Sequence, residues 1–482
     1  MTTHPLAALL PHHSLAEVFV PRFAHRVLRC VFLVLSAAVV MATAPRRLAA
    51  QRPPSDHVVL ISIDGLRPEF YRDPVQFGAP TIQQMARDGV QALGVRGVFP
   101  SVTYPSHTTL VTGATPARHG IYYNSPFEPG GQTGRWYWDA DSIRVPTLFS
   151  ALRGAGKTSA AVMWPVTVGA PVDFLVPEVW SLDPKEERIL PMRQRATAGL
   201  VEELEREATG RLDVRANFNG DWLTRDDRLG AMAAHLLETR RPALTALHLI
   251  GTDHFQHDEG RSGDRVARAV GAIDRAVGQL VDAAERAGIL ERTTFVITGD
   301  HGFVNTHLQV NPNVRLVAAG LLDTTRSRGR WRAAFHVEGG AAFLHLRDPR
   351  DTAAVSLARR ALAMAPPSEQ RLYRIVERAE LDRVGADPRV PYALTAVNGV
   401  RLGGAGSGAV VVGSRGGTHG YFPTDMPEIL TGFVAWGAGV RSGMVLPVMD
   451  LTDVAPFVAT LLGVPFVPLD GVVQAGALST AR

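Results

Sequence analysis

Three aspartates follow apolar segments that are typical of buried strands. Asp64 follows LISI, Asp253 follows HLIGT, and Asp300 follows VITG. In an open parallel sheet the carboxyl ends of the strands face one crevice, where ligands bind. Carboxylates that converge there would repel one another unless a cation held them. The pattern therefore predicts a metal site at the carboxyl edge of a sheet.

Three histidines extend this set of candidate ligands. His301 follows Asp300 directly, His257 stands four residues after Asp253, and His419 lies in the glycine-rich segment GGTHGY. Carboxylate oxygen with imidazole nitrogen suits zinc, whereas an all-oxygen set would favour magnesium or calcium. Each residue alone has an ordinary explanation as a helix cap, turn, surface or core residue. Their joint occurrence favours the metal site.

A hydroxyl-rich segment supplies candidates for a nucleophile. In FPSVTYPSHTTLVTG, Thr103 precedes a helix-like stretch. A helix N-terminus favours anions such as phosphate, because its first N–H groups have no partner within the helix. Thr103 could equally be a simple helix cap. Residue type and spacing do not choose it over other hydroxyl residues of the segment, such as Ser101, Ser106 and Thr108.

The elements that would position these residues alternate between strands and helices. The apolar runs HVVLISIDG, TSAAVMW, ALTALHLIG and TTFVITG predict strands of a parallel sheet covered on both faces. Residues 266–287 carry apolar side chains at the 3.6-residue spacing of an amphipathic helix, which Gly288 ends. We therefore predict an α/β fold with a doubly wound, mostly parallel sheet. The stretch from about 311 to 417 is predicted to form an inserted smaller subdomain.

The first 50 residues have the composition of a secretory signal peptide. Arg22, Arg26 and Arg29 precede the apolar run VFLVLSAAVVMATA, which is followed by small residues. This run is shorter than the roughly 20 residues that span a bilayer, so we expect no stable membrane anchor after cleavage. The predicted organisation is a signal peptide with linker over 1–50 and a catalytic domain over 51–482. Arginine far outnumbers lysine, which favours a bacterial source and export to the periplasm or the extracellular medium.

The charge distribution argues against a nucleic-acid duplex as partner. Residues 1–50 carry five arginines and one acid, a net charge of +4 that equals that of the whole chain. The remainder therefore has no net charge and no predicted basic surface. A small-molecule substrate is the expected partner, and the sequence gives no indication of the oligomeric state.

Read in order, several motifs resemble the nucleotide pyrophosphatase/phosphodiesterase family of the alkaline phosphatase superfamily. They are IDGLRPEF, FPSVTYPSHTTLVTG, ATPARHGIYYN, the Asp253…His257 pair, TGDHGF and GGTHGY. The resemblance spans Asp64 to His419 and implies an alkaline-phosphatase-like fold. It also implies two zinc ions, with the ligands Asp64, Thr103, Asp300 and His301 for one, and Asp253, His257 and His419 for the other.

The resemblance also implies roles beyond the metal ligands. Thr103 stands at the position of the family's nucleophile, and Asn124 at that of its phosphoryl-binding asparagine. Tyr104 matches an aromatic position that flanks the leaving group or base. The chain departs from the family pattern at three positions, where Gln256 replaces a glycine, Val102 a lysine and Ser106 an asparagine. None of these removes a ligand, but the last two leave the substrate preference open.

The resemblance implies an exported phosphodiesterase or nucleotide pyrophosphatase that works through a phosphothreonine on Thr103. A phosphate monoesterase with the same metal core is the alternative, although such enzymes need additional cations beside the phosphoryl group. The segment MWPVTVGAPVDF has no lysine and resembles the tryptophan–proline segment of diesterases. A more remote alternative is an inactive binding protein on this fold. A sulfatase is disfavoured because no Cys or Ser stands in a C/S-x-P-x-R setting.

Overall fold

The strands and helices that carry the predicted site all lie after residue 52. The computed structural model describes residues 53–128, 133–213, 222–323 and 331–479. The chain divides into two units, residues 1–52 and 53–482. The predicted signal peptide, with its apolar run, lies outside the described residues. No helix in the described ranges has the length and apolar composition needed to cross a membrane.

Strands occur along the whole described chain. In order, they are β1 (His57–Ile63), β2 (Val90–Ala92), β3 (Val95–Arg96), β4 (Ser159–Val162), β5 (Phe174–Val176), β6 (Leu244–Leu249), β7 (Thr293–Thr298), β8 (Val304–Val310), β9 (Ala333–Glu338), β10 (Ala341–Leu346), β11 (Tyr373–Glu377), β12 (Tyr392–Ala396), β13 (Gly399–Leu402), β14 (Val411–Gly413), β15 (Gly417–Thr418), β16 (Phe433–Gly437), β17 (Met444–Leu446) and β18 (Met449–Asp450).

Helices connect most of these strands. They are α1 (Glu69–Arg72), α2 (Pro80–Asp88), α3 (Thr103–Thr112), α4 (Pro116–His119), α5 (Leu148–Gly154), α6 (Leu190–Arg195), α7 (Leu200–Leu204), α8 (Trp222–Arg240), α9 (Gly251–Glu259), α10 (Asp264–Arg286), α11 (Pro312–Ala318), α12 (Thr352–Ala363), α13 (Pro367–Gln370), α14 (Arg378–Arg383) and α15 (Val454–Leu462). Short 3₁₀ turns and one π-helical turn, Glu205–Thr209, complete the set within the described residues.

The main sheet has the strand order β17-β2-β16-β7-β1-β6-β4-β5 among the described residues. From β7 to β5 all neighbouring strands are parallel, and β16 joins β7 in the antiparallel sense. Strands β6 and β7 are buried at every residue, as expected for a parallel sheet with both faces covered. The predicted α/β fold with a mostly parallel sheet is confirmed.

Successive residues of β1 enter two different cores, one on each face of the sheet. Val59 and Ile61 pack with α8 and α10 in one cluster, and Val58 and Leu60 pack with α15 in the other. This alternation follows from the period of two in a strand. The helix predicted over 266–287 is α10, and it buries the apolar stripe that predicted it. Helices therefore cover both faces of the sheet.

Three further sheets occur in the described chain, the smallest of which is the parallel pair of β3 and β18. Strands β9 to β12 form an antiparallel sheet in the order β11-β12-β10-β9. Strand β8, which begins shortly after His301, pairs with β13, β14 and β15, and β15 ends one residue before His419. These strands have a hydrophobic core of their own, which includes Phe335, Leu344 and Leu394.

A buried carboxylate fixes the turn from β6 into α9. Asp226 of α8 is fully buried and accepts hydrogen bonds from the backbone N–H groups of Ile250 at 3.0 Å and Gly251 at 2.8 Å. The first N–H groups of a helix have no partner within the helix, so this carboxylate caps α9 from a neighbouring element. Because α9 carries the Asp253…His257 pair, Asp226 also sets the position of two predicted ligands.

We predict that Asp226→Ala lowers the free energy of unfolding by about 3 kcal/mol, because two buried N–H groups lose a charged acceptor. Urea unfolding would measure the loss. Asp227→Ala is the matched control, since Asp227 is 33% exposed and pairs with an exposed arginine, Arg275. That change should cost less than about 1 kcal/mol. Equal losses in the two variants would contradict the role given to Asp226.

Candidate active site

The three predicted aspartates meet at the carboxyl ends of adjacent strands. Asp64 follows β1, Asp253 lies in α9 just after β6, and Asp300 follows β7. Strands β6 and β7 are the two parallel neighbours of β1, so the sheet brings the three strand ends side by side. Asp64 and Asp300 are buried, and the Asp253 side chain is mostly buried.

Asp253, His257 and His419 form one compact group of potential ligands. Their ligand atoms all lie within 4.8 Å of one another. Asp253 Oδ1 is 3.3 Å from His257 Nε2 and 3.6 Å from His419 Nε2, and the two Nε2 atoms are 3.2 Å apart. The i,i+4 spacing of Asp253 and His257 puts both on one face of α9. These are the three residues that the family resemblance assigns to one zinc.

Asp64, Asp253 and His301 form a second such group, again within 4.8 Å. His301 Nε2 lies 3.2 Å from Asp64 Oδ1 and 3.3 Å from Asp300 Oδ2. Asp253 is therefore within reach of both groups, whereas the resemblance gives it to only one. The ring of His301 stacks on that of His419, with centroids 3.5 Å apart and planes at 5°. The two groups thus form one continuous cluster.

Four buried ligand atoms in this cluster have no hydrogen-bond partner among the described residues. They are Asp64 Oδ1, Asp253 Oδ1, Asp300 Oδ2 and His301 Nε2. Leaving a buried polar atom unpaired costs about 1–3 kcal/mol, and more for charged groups, so such atoms are rare unless a ligand or ion satisfies them. Oxygen and nitrogen donors converging in this way fit a divalent cation such as zinc.

Carboxyl pKa values in the cluster reflect burial and mutual repulsion. Burial raises the pKa of Asp64 to about 6, and the charge of Asp253 adds to the rise. Burial and the charge of Asp64 raise the pKa of Asp300 to about 6. For Asp253, burial acts in the same direction, but His257 and His419 outweigh it and hold the pKa well below its usual range. A divalent cation would favour the ionised form of all three.

Glycines let the loop before His419 approach α9. Gly416 has φ of +74°, and a Cβ there would lie 1.9 Å from the carbonyl oxygen of His257. The Nδ1 atom of His257 is 3.1 Å from the carbonyl oxygen of Gly417, and that of His419 is 3.1 Å from that of Ser101. An imidazole whose Nδ1 is bound to a carbonyl keeps Nε2 for a metal.

Gln256, one of the departures from the family pattern, ties α9 to the end of β1. Its side chain is fully buried, and Nε2 donates a hydrogen bond to the carbonyl oxygen of Gly65 at 3.0 Å. The hydroxyl of Thr252 donates to the carbonyl oxygen of Asp64 at 2.6 Å. These bonds join the helix that carries the aspartate–histidine pair to the turn that carries the first aspartate. In this chain the glutamine therefore has a structural role.

Thr103 and Asn124 lie together at the N-terminus of α3. Thr103 is the first residue of this helix and is 8% exposed. It lines a pocket of about 500 Å³ together with Asp64 and Asp253. Asn124 Oδ1 accepts a hydrogen bond from the backbone N–H of Tyr104 at 2.8 Å, which leaves its amide nitrogen to donate to a ligand.

The side chain of Tyr104 does not line this pocket. It is fully buried, and its ring packs edge-on against Trp136 at 5.0 Å between centroids. Trp136 lines the pocket instead. Tyr104 therefore supports an aromatic wall from behind, and a direct contact of Tyr104 with substrate stays a prediction.

Several residues of this site are not predicted from the sequence. His248 of β6 has its Nε2 3.1 Å from Asp64 Oδ2, so it orients that carboxylate. Glu178 and Arg225 are buried residues of the pocket lining, with Trp180 and Trp222 beside them. Glu178 follows β5 by two residues, as Asp300 follows β7. The rule that found the aspartates, an acid directly after a strand, could therefore have found Glu178 as well.

We predict that His301 makes the metal-free protein less stable at high pH. Burial disfavours its protonated form, but Asp300 and Asp64 outweigh burial and raise its pKa from 6.5 to about 9. Its contribution to stability is therefore complete below about pH 6.5 and is lost as the pH rises towards 9. Urea unfolding of chelator-treated protein should show a loss on the order of 2 kcal/mol over this range. The His301→Gln variant should lack this loss, and an equal loss in that variant would refute the assignment.

Comparisons with known proteins place this chain in a family. The family model described as type I phosphodiesterase / nucleotide pyrophosphatase matches residues 58–396. Mouse ectonucleotide pyrophosphatase/phosphodiesterase family member 1 is 24% identical over 329 residues, 62% of this chain and 30% of that protein. Human family member 7 is 26% identical over 282 residues, 56% of this chain and 53% of that protein. The chain therefore spans from about a third to half of the length of these relatives.

Solved structures of this family have a fold similar to that of this chain. Human ectonucleotide pyrophosphatase/phosphodiesterase 5 superimposes with a TM-score of 0.64 at 19% identity, covering 88% of this chain and 100% of that chain. An inactive murine form of that protein, solved in complex with AMP, gives a TM-score of 0.62 at 19% identity. This likeness confirms the predicted alkaline-phosphatase-like fold. Because the family model covers well over half of the sequence, the chain belongs to the type I phosphodiesterase / nucleotide pyrophosphatase family.

Proposed function

We propose that this protein is a metal-dependent hydrolase of phosphate diesters or phosphoanhydrides in small nucleotide-like substrates, with Thr103 as nucleophile. The observation that supports this function best is the position of Thr103 at a helix N-terminus, in one pocket with Asp64 and Asp253. An anionic phosphoryl group is favoured at such a position, and the hydroxyl is already there to attack it.

Two zinc ions fit the donors of the cluster. We assign Asp64, Thr103, Asp300 and His301 to one ion, and Asp253, His257 and His419 to the other. The unpaired buried atoms of the two groups support this assignment. When bound, zinc lowers the pKa of a coordinated hydroxyl and stabilises negative charge on phosphate-ester oxygens.

The chain's own residues then perform a two-step displacement. The hydroxyl of Thr103 gives up its proton to solvent as Oγ1 attacks phosphorus and forms a new P–O bond, and the leaving-group oxygen departs with the electron pair of the broken bond and takes up a proton from water, which gives a phosphothreonine. The amide nitrogen of Asn124 donates a hydrogen bond to a non-bridging oxygen and orients the phosphoryl group. Water then attacks phosphorus, releases the phosphate product and restores the threonine hydroxyl.

A nucleotide-like substrate is supported by what related proteins are known to bind or cleave. A neighbouring murine structure holds AMP, and human bis(5'-adenosyl)-triphosphatase ENPP4 is 24% identical over 255 residues, 51% of this chain and 47% of that protein. The pocket beside Thr103 has three tryptophans in its lining, which suits a flat aromatic group.

A phosphate monoesterase is the second candidate. Arg188 and Arg225 line the same pocket, and extra cations of this kind favour the additional negative charge of a monoester. The charge of Glu178, however, acts on Arg225 and offsets it. The diesterase is therefore the better-supported function.

Export to the periplasm or the extracellular medium of a bacterium is also part of this proposal. It is supported by the basic segment and the apolar run within residues 1–50, which lie outside the described residues. N-terminal sequencing of protein recovered from outside the cytoplasm would locate the cleavage site.

We predict that Thr103→Ala lowers kcat on a nitrophenyl nucleotide diester by at least about 10³-fold, because the covalent route is lost. The variant should still bind metal, since the other ligands remain. Thr239→Ala is the matched control, because Thr239 is exposed and precedes β6 at the opposite edge of the sheet. If Thr103→Ala kept its rate within about tenfold of the parent, roughly 1.4 kcal/mol, the nucleophile would be wrongly assigned.

A further prediction concerns the metal itself. Purified protein should hold close to two zinc ions per chain, and His257→Ala should hold close to one. A chelator should abolish cleavage of the diester, and added zinc should restore it, because metal binding is reversible and uses deprotonated ligands. Activity that persisted with no bound metal would refute the two-zinc assignment.

A nitrophenyl monoester cleaved faster than the diester would favour the monoesterase.

A further inference from the structure

Asn124, the proposed phosphoryl-binding residue, lies after α4 in the described segment 120–128, which has no helix or strand. Its Oδ1 accepts a hydrogen bond from the N–H of Tyr104 at 2.8 Å, and its carbonyl oxygen accepts one from the N–H of Tyr137 at 3.1 Å. A segment of this kind has no ladder of backbone hydrogen bonds, so its geometry depends on side-chain contacts. The side chains beside Asn124 therefore decide how precisely its amide nitrogen points.

The hydroxyl of Tyr123, the residue before Asn124, is held by two buried side chains. It donates a hydrogen bond to Oδ2 of Asp387 at 2.8 Å and lies 3.1 Å from Nε2 of His345. Burial lowers the pKa of His345 to about 3, so its ring is neutral at pH 7. Since Asp387 takes the only hydroxyl proton, Nε2 of His345 carries the proton of that ring and donates it to the hydroxyl oxygen. The hydroxyl is therefore fixed from two directions.

Asp387 stands in a loop, residues 384–391, that leads from α14 to β12. Arg389 binds its carboxylate in a bidentate manner, with Nε 2.8 Å from Oδ1 and Nη2 2.7 Å from Oδ2. Nη1 of Arg378 donates to the carbonyl oxygens of Asp387 at 2.8 Å and Val390 at 2.6 Å. Charge-assisted and bidentate hydrogen bonds are stronger and geometrically more specific than neutral ones. The carboxylate that accepts the tyrosine hydroxyl is therefore held in one place.

The same loop contacts the chain before Asn124 at two further points. The carbonyl oxygen of Gly385 accepts a hydrogen bond from the N–H of Ala117 at 2.8 Å. The guanidinium of Arg389 lies over the ring of Tyr122, 4.4 Å from its centroid, where the ring face attracts the positive charge. A shift of the loop would therefore move the segment that carries the asparagine as well.

On the other side of Asn124, Phe127 contacts the same histidine. Its ring stacks on that of His345, with centroids 4.1 Å apart and planes at 14°. His345 lies in β10, in the antiparallel sheet to which β12 also belongs. One imidazole thus touches residues on both sides of the asparagine, and rotation of the segment would break contacts in both places.

We propose that the hydrogen bond from Tyr123 to Asp387 positions Asn124 and sets the direction in which its amide nitrogen donates. This inference rests on the proposed function, in which that nitrogen binds a non-bridging oxygen of the phosphoryl group. Tyr123 and Asp387 are fully buried, so they act through Asn124 and do not touch substrate. Hydrogen bonds weaken steeply as the donor turns away from the acceptor, so a small rotation of the amide lowers the stabilisation of the transition state.

A double-mutant cycle tests this inference, with Tyr123→Phe and Asn124→Ala in the zinc-loaded enzyme and bis(nitrophenyl) phosphate as substrate. Asn124→Ala should lower kcat by about 10²-fold, because a donor to the developing charge is lost. Tyr123→Phe keeps the ring and should lower kcat by about tenfold, with KM changed less than about twofold, because the loss falls on the transition state. The double variant should be as slow as Asn124→Ala within about twofold, since no donor is left to position.

Orthovanadate provides a readout that does not depend on turnover. Its five-coordinate form resembles the phosphoryl group during displacement, and transition-state analogues bind through the interactions that speed the reaction. Calorimetry should show that Tyr123→Phe weakens vanadate binding about tenfold in the parent background and less than about twofold in the Asn124→Ala background.

Tyr71→Phe is the matched control. The Tyr71 hydroxyl is buried, donates to the carbonyl oxygen of Ala92 at 2.8 Å and lies 3.4 Å from the backbone nitrogen of Phe433, so it also has two hydrogen-bond partners. It lies in α1 and does not line the pocket beside Thr103. Urea unfolding should show similar losses of stability in the two tyrosine variants, whereas kcat of Tyr71→Phe should stay within about twofold of the parent.

Asp387→Asn changes the same hydrogen bond from the acceptor side. It keeps a side chain of similar size and weakens the bond from Tyr123, because the acceptor loses its charge. This variant should slow the parent enzyme and have no further effect on Asn124→Ala. A folding defect in one of the two variants then leaves the other to decide the outcome.

Two results would overturn the inference. One is a kcat that stays within about twofold of the parent in both Tyr123→Phe and Asp387→Asn. The other is a double variant in which the two losses multiply, which would mean that Tyr123 acts independently of Asn124. Either result leaves the proposed function in place. That function falls if the zinc-loaded parent cleaves neither bis(nitrophenyl) phosphate nor a nitrophenyl nucleotide diester.

Discussion

The main physical constraint on this structure is the mutual repulsion of three buried acids. Asp64, Asp253 and Asp300 leave three adjacent parallel strands at the same edge and are largely withdrawn from water. Such an arrangement is unfavourable for the chain alone, because water is largely excluded and the hydrogen bonds that Asp64 and Asp300 accept leave one oxygen of each without a partner among the described residues. The surrounding histidines offset it only in part, as the unpaired oxygens show. The stability of the sheet holds the three acids close together, and their charges attract a divalent cation. Electrostatic repulsion between buried groups is typical of functional sites.

Much of this arrangement could be predicted from the sequence because it follows from strand direction. Long apolar runs predicted the central strands, and an acid shortly after three of these runs predicted the edge at which the acids meet. The same reasoning could not find His248. It lies in a strand that is buried at every position, so neither alternation nor polarity distinguishes its role from that of a satisfied core histidine.

The pocket wall was harder to predict, and the reason is geometric. The segment with Trp136, Tyr137 and Trp138 is visible in the sequence, but it belongs to no long helix or strand with a readable period. Trp136 reaches the pocket through tertiary packing on Tyr104 and Trp180, and Trp138 packs on Trp180. A family pattern identified Tyr104 as an aromatic position, but it could not show that another ring lies in front of it. Local spacing therefore predicts ligands on strand ends better than it predicts a wall assembled from loops.

The proposed ligands are contributed by segments that are very far apart along the chain, from the first strand to the loop that follows β15. An ion held by all of them would bind only to the folded form, since the unfolded chain cannot bring Asp64 and His419 together without a large loss of entropy. By mass action, ion concentration and folding are then thermodynamically linked, and occupancy shifts the equilibrium towards the native state. The metal supply of the compartment in which the chain folds would thus influence how much native protein accumulates there.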